Sequence, residues 1–540
     1  MAVWKRVAAR KVIGGSLLLR VFLVGVMAAM ATAAFGAGAP EAVPGRDVLA
    51  IAVRAEPESL DPVKASSSSA ISVVEHLVEG LVVLEEGLPG TAPSLVPGLA
   101  ERWESNRDST VWTFHIRRGV TFHDGTPLDA RAVQANLERS RDARTGAAGA
   151  TLLEDLESIE VVGSHTVRIR LARPCAPFPA HLAHPSLGIV SPSQFRQLAP
   201  GESLSLPAGT GPYVVDHWAR GEQITLAINP RYRGPSPLIS RLVFTFLPQA
   251  SARIAALENG DIDVALEIPP GAAETLETLS GITVVRQSTV RTIYIGLNTR
   301  RGPLDRPLVR QALNHAIHRD RILELLQGEA IVADGPLAPA VFGYAPVASY
   351  DYDPSRARQL LARAGFPEGF DMVLYHPRGR YPRDVAVAEA VQDMLLDVGV
   401  RLRLESHPWP RLLDLTALPA DQAGYDAYLM GQDVITLDGD WGLFRQFHSE
   451  QAPPGGDNRG FYSNPVVDDL LSRGRAEVDP LARREIYAEV IQEIRDDAPW
   501  IVLYHQGQIK AVRSEIRGLS LHPLGYLRTG QARFIDSGID

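Results

Sequence analysis

Cysteine is nearly absent: Cys175 is the one cysteine in 540 residues. No internal disulfide can form, so the core alone must hold the folded chain. No thiol stands beside the N-terminal leader either, which excludes lipid attachment through a cysteine there. A polybasic block is also missing. The formal net charge is -9 and the charged residues, 22% of the chain, are well mixed, so nucleic acid is not expected as a partner. Catalytic signatures are lacking: there is no G-x-S-x-G elbow, no H-E-x-x-H, no Walker loop and no C-x-x-C. These absences argue against an enzyme and against a bound cofactor.

What is there begins with the leader. Lys5, Arg6, Arg10 and Lys11 precede the apolar run "VFLVGVMAAMATAAFGAGA", with small residues at Ala34 and Gly36, or Ala31 and Ala33, as export-cleavage sites. The stretch Val21–Phe35 is 15 residues, short of the roughly 20 needed to span a bilayer. Residues 1–36 are therefore expected to be a signal peptide. Its removal takes away five cations and no acids, moving the net charge from -9 to -14. The expectation is a soluble periplasmic protein that is not a lipoprotein. Hydrophobic content of 45% and this length give two to four domains' worth of chain with ample core.

The first half reads as strands and hairpins. "VLAIAVR" (48–54) is a strand, followed by the small polar loop "SLDPVKASSSSA" and a helical pattern in "ISVVEHLVEGLV". In "WTFHIRRGVTFHDGT" (112–126), Trp112, Phe114 and Ile116 alternate with Thr113, His115 and Arg117, the pattern of a half-buried strand. Val120 and Phe122 start a second short strand, Asp124-Gly125 is a turn, and Asp129 caps a helix. His123 and Asp124 are neighbours at a strand end, so their side chains diverge, and neither a proton relay nor a metal pair is expected. "IEVVGSHTVRIRL" is a further hairpin. "GTGPYVV" (209–215) looks like a phosphate loop but lacks the Gly-Lys-Ser/Thr and runs into a strand.

The second half alternates helices and strands, the pattern of an α/β unit. Asp305 with Pro307 opens one helix that Gly328 stops. Asp353 with Pro354 opens another, whose buried stripe is Ala357, Leu360, Leu361 and Ala364. Helices at 384–399 and 480–498 alternate with strands at 370–376, 400–406, 425–431 and 500–506. The pairs His181/His184 and His315/His318 are weighed as metal ligands. Surrounding arginines (Arg310, Arg319, Arg321) disfavour an ion at the second pair, and surface helix is the expected role.

Several stretches together resemble the extracellular solute-binding proteins of the dipeptide, oligopeptide and nickel class, family 5, which serve ABC importers. They are "SLDP", "VEGLV", "LAERWE", "WTFHIRRGVTFHDGTPLDARAV", "GTGPYVV", "ALENGDIDVA", "IGLNT", "VRQALNHAI", "YDPSRARQLLARAGF" and "DDAPWIVLYH", in the family's order over almost the whole mature chain. The resemblance implies an α/β, two-lobed periplasmic-binding-protein fold of the class II type, with an extra subdomain in lobe I. Lobe I would use 46–290 plus the returning 508–540, and lobe II 291–507. The ligand would lie in the cleft between them.

The resemblance also implies a mode of capture. A peptide's charged ends, sealed from water, each need an opposite charge. The family's arginine matches Arg380 or Arg378 in "YHPRGRYPRD", and a guanidinium suits a carboxylate because it binds bidentately. The acid is displaced: Leu437 stands at its place, with Asp438 one step on and Asp433 nearby. Trp441 is expected to wall the cavity, and the serine run, Ser67 and Ser68 above all, to line it from lobe I. The expected partners are a small peptide and an inner-membrane ABC permease, with the chain a monomer. A nickel chelate or another small solute is the alternative, drawing in His376, His407 and His505. A secreted hydrolase is a remote one.

Overall fold

The computed structural model describes residues 46–85, 92–199 and 201–535; the leader lies outside them. Two strands organise everything else. Ile282–Leu297 and Trp500–Arg513, of 16 and 14 residues, pair antiparallel. Ordinary strands have about five or six residues. At about 3.4 Å per residue the longer one reaches roughly 50 Å, enough to run through two cores in turn.

Their register shifts between Ser288 and Thr292, and the break divides the eleven-stranded sheet. On one side, Trp500–Arg513 continues to Val264–Ala265, Val48–Val53, Arg241–Phe246, Gln223–Ile228 and Tyr213–Ala219. On the other, Ile282–Leu297 continues to Ala427–Asp433, Phe370–Pro377 and Val400–His407. The sequence of the long strand changes character at the same place. "ITVVRQST" is half exposed, whereas "TIYIGL" is buried throughout, as a strand covered on both faces must be.

Cores form separately on the two sides. Beyond the break, Ile293, Leu313, Leu361, Leu374, Val391 and Leu402 share one cluster beneath the helices Pro307–His315, Pro354–Arg363 and Asp384–Leu396. Before it, Ile51, Val73, Leu77, Tyr213, Phe244 and Leu527 form another. A third region stands apart: the four-stranded sheet Ala100–Ser105, Val111–Ile116, Thr166–Leu171, Leu156–Gly163, with its own core of Trp112, Phe114, Phe122, Leu137, Ile169 and Phe178. The histidine-containing hairpin is thus a wall. His115 points away from that core, with Arg102 3.3 Å from its Nδ1. His123 departs from a purely surface role, since its Nε2 lies 3.2 Å from the carbonyl of Gly211.

Other departures have local causes. The second strand at Val120 is only an isolated bridge, Thr121 to Pro127. The helix read from 305 to 328 is two helices, Pro307–His315 and Arg319–Leu326. Arg306, not Asp305, occupies the first N-cap, and His318 caps the second by accepting from the Arg321 amide. The helix expected from Ile71 starts inside the serine run as Ser68–Val74, with Ser67 as its cap, and stops at Val74. Val82–Glu85 beyond it is a strand. Among the described residues no helix is long and apolar enough to cross a membrane.

"GTGPYVV" is explained by close backbone approach. The Gly211 and Tyr213 amides donate to the carbonyls of Leu77 and His76 at 3.0 and 3.1 Å. A Cβ on Gly209 would sit 2.0 Å from the Leu77 oxygen. Gly209→Ala must push two backbones apart and is expected to cost about 1–3 kcal/mol or more. Denaturant unfolding checks this against Gly163→Ala, where a Cβ meets nothing within 4 Å. Equal stability of the two variants contradicts the packing account.

Candidate functional site in the cleft

Strands Phe370–Pro377, Val400–His407 and Ala427–Asp433 are parallel, and ligands of such sheets gather at the carboxyl ends. Three segments meet there. After Pro377 the chain turns through Arg378–Arg383 into the helix Asp384–Leu396. The buried Asp384 carboxylate gathers that turn. It accepts from the amides of Arg380 at 2.8 Å, Val385 at 2.9 Å, Gly379 at 3.1 Å and Tyr381 at 3.2 Å. The Tyr381 hydroxyl accepts from the Gly431 amide at 2.8 Å, tying the turn to the neighbouring strand.

Arg380 is exposed on this rigid turn. Its guanidinium lies 4.9 Å from the Trp409 ring centroid and 5.7 Å from that of Tyr381. Such stacking orients the cation while leaving its donors available. Among the described residues neither Arg380 nor Arg378 has an ion-pair partner.

The two expected acids are differently placed. Asp433 ends its strand and holds Arg291 through two bonds, 2.9 Å to Nε and 2.7 Å to Nη2. Arg291 stands inside the register break and also reaches Gln506 at 3.3 Å. Burial pulls the Arg291 pKa down, but Asp433 more than restores it. Asp438 is withdrawn from the cleft. It is 4% exposed, caps the helix Gly439–Phe447 and pairs with Arg483 at 2.9 Å. Burial raises its pKa against the pull of Arg483. Leu437 before it is buried at φ +56°, so the turn shifts the acid inward.

On the other side of the break, Glu58 organises the serine run. It accepts from the amides of Ser66 and Ser67 at 2.6 and 2.8 Å and from the Ser67 hydroxyl. Burial pushes the Glu58 carboxyl up, and these bonds, Ser67 first, outweigh it and hold the pKa below its usual value. Ser67 is therefore committed to Glu58 and to its helix cap. Ser68 remains exposed, at a recess shared with Glu267, Gln508 and Lys510. Trp441 packs against the cores of both the second half and the four-stranded subdomain, with its ring 5.7 Å from that of His181.

Among the described residues His315, His318, His376, His407 and His505 do not join a cluster of three metal-ligating side chains. His315 Nδ1 lies 2.9 Å from the Asp351 carbonyl and His318 is a helix cap. His376 Nδ1 is 2.9 Å from the Pro377 carbonyl, His407 packs on Tyr375, and buried His505, its pKa pushed down to about 4, contacts Thr292. Sequence reasoning missed Asp384, Tyr381, Trp409 and Arg291. The signals available were an acid opening a helix straight after a parallel strand, and an aromatic at the next strand's end.

With this geometry in view, the comparisons are decisive. The family profile "Bacterial extracellular solute-binding proteins, family 5 Middle" matches residues 94–454. The chain belongs to family 5 of the bacterial extracellular solute-binding proteins. It is 29% identical over 502 residues to the glutathione-binding protein GsiB of Shigella dysenteriae, covering 92% of this chain and 95% of that one. HbpA2 from Haemophilus parasuis superposes with a TM-score of 0.82 at 26% identity, covering 90% of this chain and 99% of that one. The periplasmic binding protein DppA from Helicobacter pylori, in complex with the peptide STSA, gives 0.72 at 27%, covering 91% and 98%. The fold is the two-lobed one of these proteins, and family members are binding proteins of transporters.

Asp384 is the positioning residue this geometry identifies. Asp384→Ala is expected to accelerate hydrogen exchange at the amides of Gly379, Arg380 and Tyr381, because each loses its acceptor. Unchanged exchange there contradicts the role.

Proposed function

We propose that this chain is the periplasmic binding component of an ABC importer that captures small peptides between its lobes and delivers them to an inner-membrane permease. The reading takes residues 1–36 as a cleaved signal peptide without lipid attachment and the mature chain as a monomer. It takes 46–290 with 508–540 as lobe I and 291–507 as lobe II. The register break at Ser288–Thr292 supports that division. Glutathione in the name of GsiB and the peptide bound to DppA support the ligand class.

One observation carries it. Arg380, with Arg378 beside it, offers a guanidinium without an acidic partner among the described residues, on a turn that Asp384 holds rigid and Trp409 flanks. A carboxylate losing water between the lobes needs such a group. Asp433, held by Arg291 through both oxygens yet partly exposed, and Ser68 across the cleft complete a polar lining for the peptide backbone and amine. Trp441 walls the far side.

Calorimetry with free-acid and C-terminally amidated di- and tripeptides tests this. Removing one partner of a buried charge pair costs about 2–5 kcal/mol. Arg380→Ala should therefore weaken free-acid binding at least about thirtyfold, since about 1.4 kcal/mol is tenfold. The melting temperature of the ligand-free protein should barely change. Amidated peptides should bind the parent poorly. If Arg380→Ala and Arg378→Ala both bind as the parent does, the anchor lies elsewhere. If a nickel chelate binds and no peptide does, the peptide reading falls.

A further inference from the structure

Where the four-stranded subdomain touches the second half, a cluster of polar side chains is sealed from solvent. Cys175 follows the strand Thr166–Leu171, His181 ends the short helix Phe178–His181, and Asp440 lies in the helix Gly439–Phe447. They are 1%, 6% and 4% exposed. The thiol sulfur, an imidazole nitrogen and a carboxylate oxygen lie within 4.8 Å of one another. Among the described residues this is the one group of three such side chains so arranged.

Two of these atoms are without hydrogen-bond partners. His181 Nδ1 lies 3.0 Å from the Leu152 carbonyl, which fixes the proton on Nδ1 and leaves a lone pair on Nε2. Nε2 has no hydrogen-bond partner, and Asp440 Oδ1 accepts no hydrogen bond. An unmet buried polar group costs about 1–3 kcal/mol, so two side by side, facing a thiol, call for an explanation.

We infer that Cys175 Sγ, His181 Nε2 and Asp440 Oδ1 bind one divalent transition-metal ion of the zinc class. Thiolate, imidazole and carboxylate are a zinc donor set, and three protein ligands leave a fourth tetrahedral position for water. Ligand bonds of about 2.0–2.3 Å place donor atoms roughly 3.3–3.8 Å apart, so the side chains close by about an ångström. The thiol proton leaves to solvent on binding.

Arg475 is the group that argues against an ion, and its charge is accounted for. Its Nη2 is 2.6 Å from Asp155, its Nε is 3.4 Å from Asp440 Oδ1 without a hydrogen bond, and its guanidinium also contacts the Cys175 thiol, a contact that the ion must replace. Asp155 also binds Arg173, which is partly exposed. Asp155 and Asp440 against Arg475 leave the buried group one negative charge. A divalent ion with a thiolate in place of the thiol brings it to neutrality, and Arg475 keeps Asp155. Cys175 and His181 belong to the subdomain and Asp440 to the second half, so the ion bridges the two only while their seam is closed.

The test uses the whole protein stripped with a chelator and then given zinc or cobalt salts alone. Calorimetry should show one tight zinc site, and cobalt should give a sulfur-to-metal charge-transfer absorption. Cys175→Ser should abolish that absorption. His181→Gln should weaken zinc at least roughly tenfold, the lower end of the loss for even an outer-shell partner. His165→Gln, at a half-buried residue outside the cluster, should change neither. The inference is overturned if cobalt gives no thiolate band with the unsubstituted protein, a result that needs no variant to fold. It is also overturned if Cys175→Ser and His181→Gln bind zinc as the parent does.

Discussion

The pairing of Ile282–Leu297 with Trp500–Arg513 is the constraint on which the rest of this structure depends. One ribbon serves two sheets, so each half must complete its own core on either side of it. Besides a second, smaller shift at Ile293–Tyr294, the ladder is interrupted between Ser288 and Thr292. There the main chain turns to other partners: the Val290 amide donates to Pro523, and the Thr289 hydroxyl to the Gln506 carbonyl. In hinge closure a short break of this kind takes up the rotation while the cores on both sides stay packed.

Polar groups are arranged around that break according to their surroundings. Arg291, Asp433 and Gln506 lie at its root and satisfy one another. Arg378 and Arg380 lie further out, exposed to water. At the opposite edge the halves meet through ion pairs, Arg445 with Glu154 at 2.8 Å and Arg475 with Asp155 at 2.6 Å. The first is partly exposed and contributes little by itself. The second is buried, and losing either partner would strand a charge. The seam therefore selects one arrangement of the halves.

Much of the fold was legible because it is written locally. Alternation in Trp112–Ile116 names the buried face of a strand without reference to any neighbour, and Asp353-Pro354 marks a helix start by capping chemistry alone. The α/β alternation of the second half was readable for the same reason. The candidate site was legible only in part. Arg380 could be placed on a turn after a parallel strand, but its support, Asp384 with four amides, is a three-dimensional arrangement that spacing does not reveal. Asp438 read as an available acid, yet its partner Arg483 is distant in sequence and takes it into the core. The helix starting at Ser68 was hidden because a serine run reads as loop until Glu58 is seen to hold it.

In the proposed function two halves, hinged on one ribbon, close over a peptide. Small-angle X-ray scattering tests it most directly, on the protein alone and on the same sample saturated with a peptide whose binding calorimetry has established. The radius of gyration and the maximum dimension are both expected to fall on saturation, towards the values of the structure with its seam closed. Scattering that does not change at saturation would contradict it.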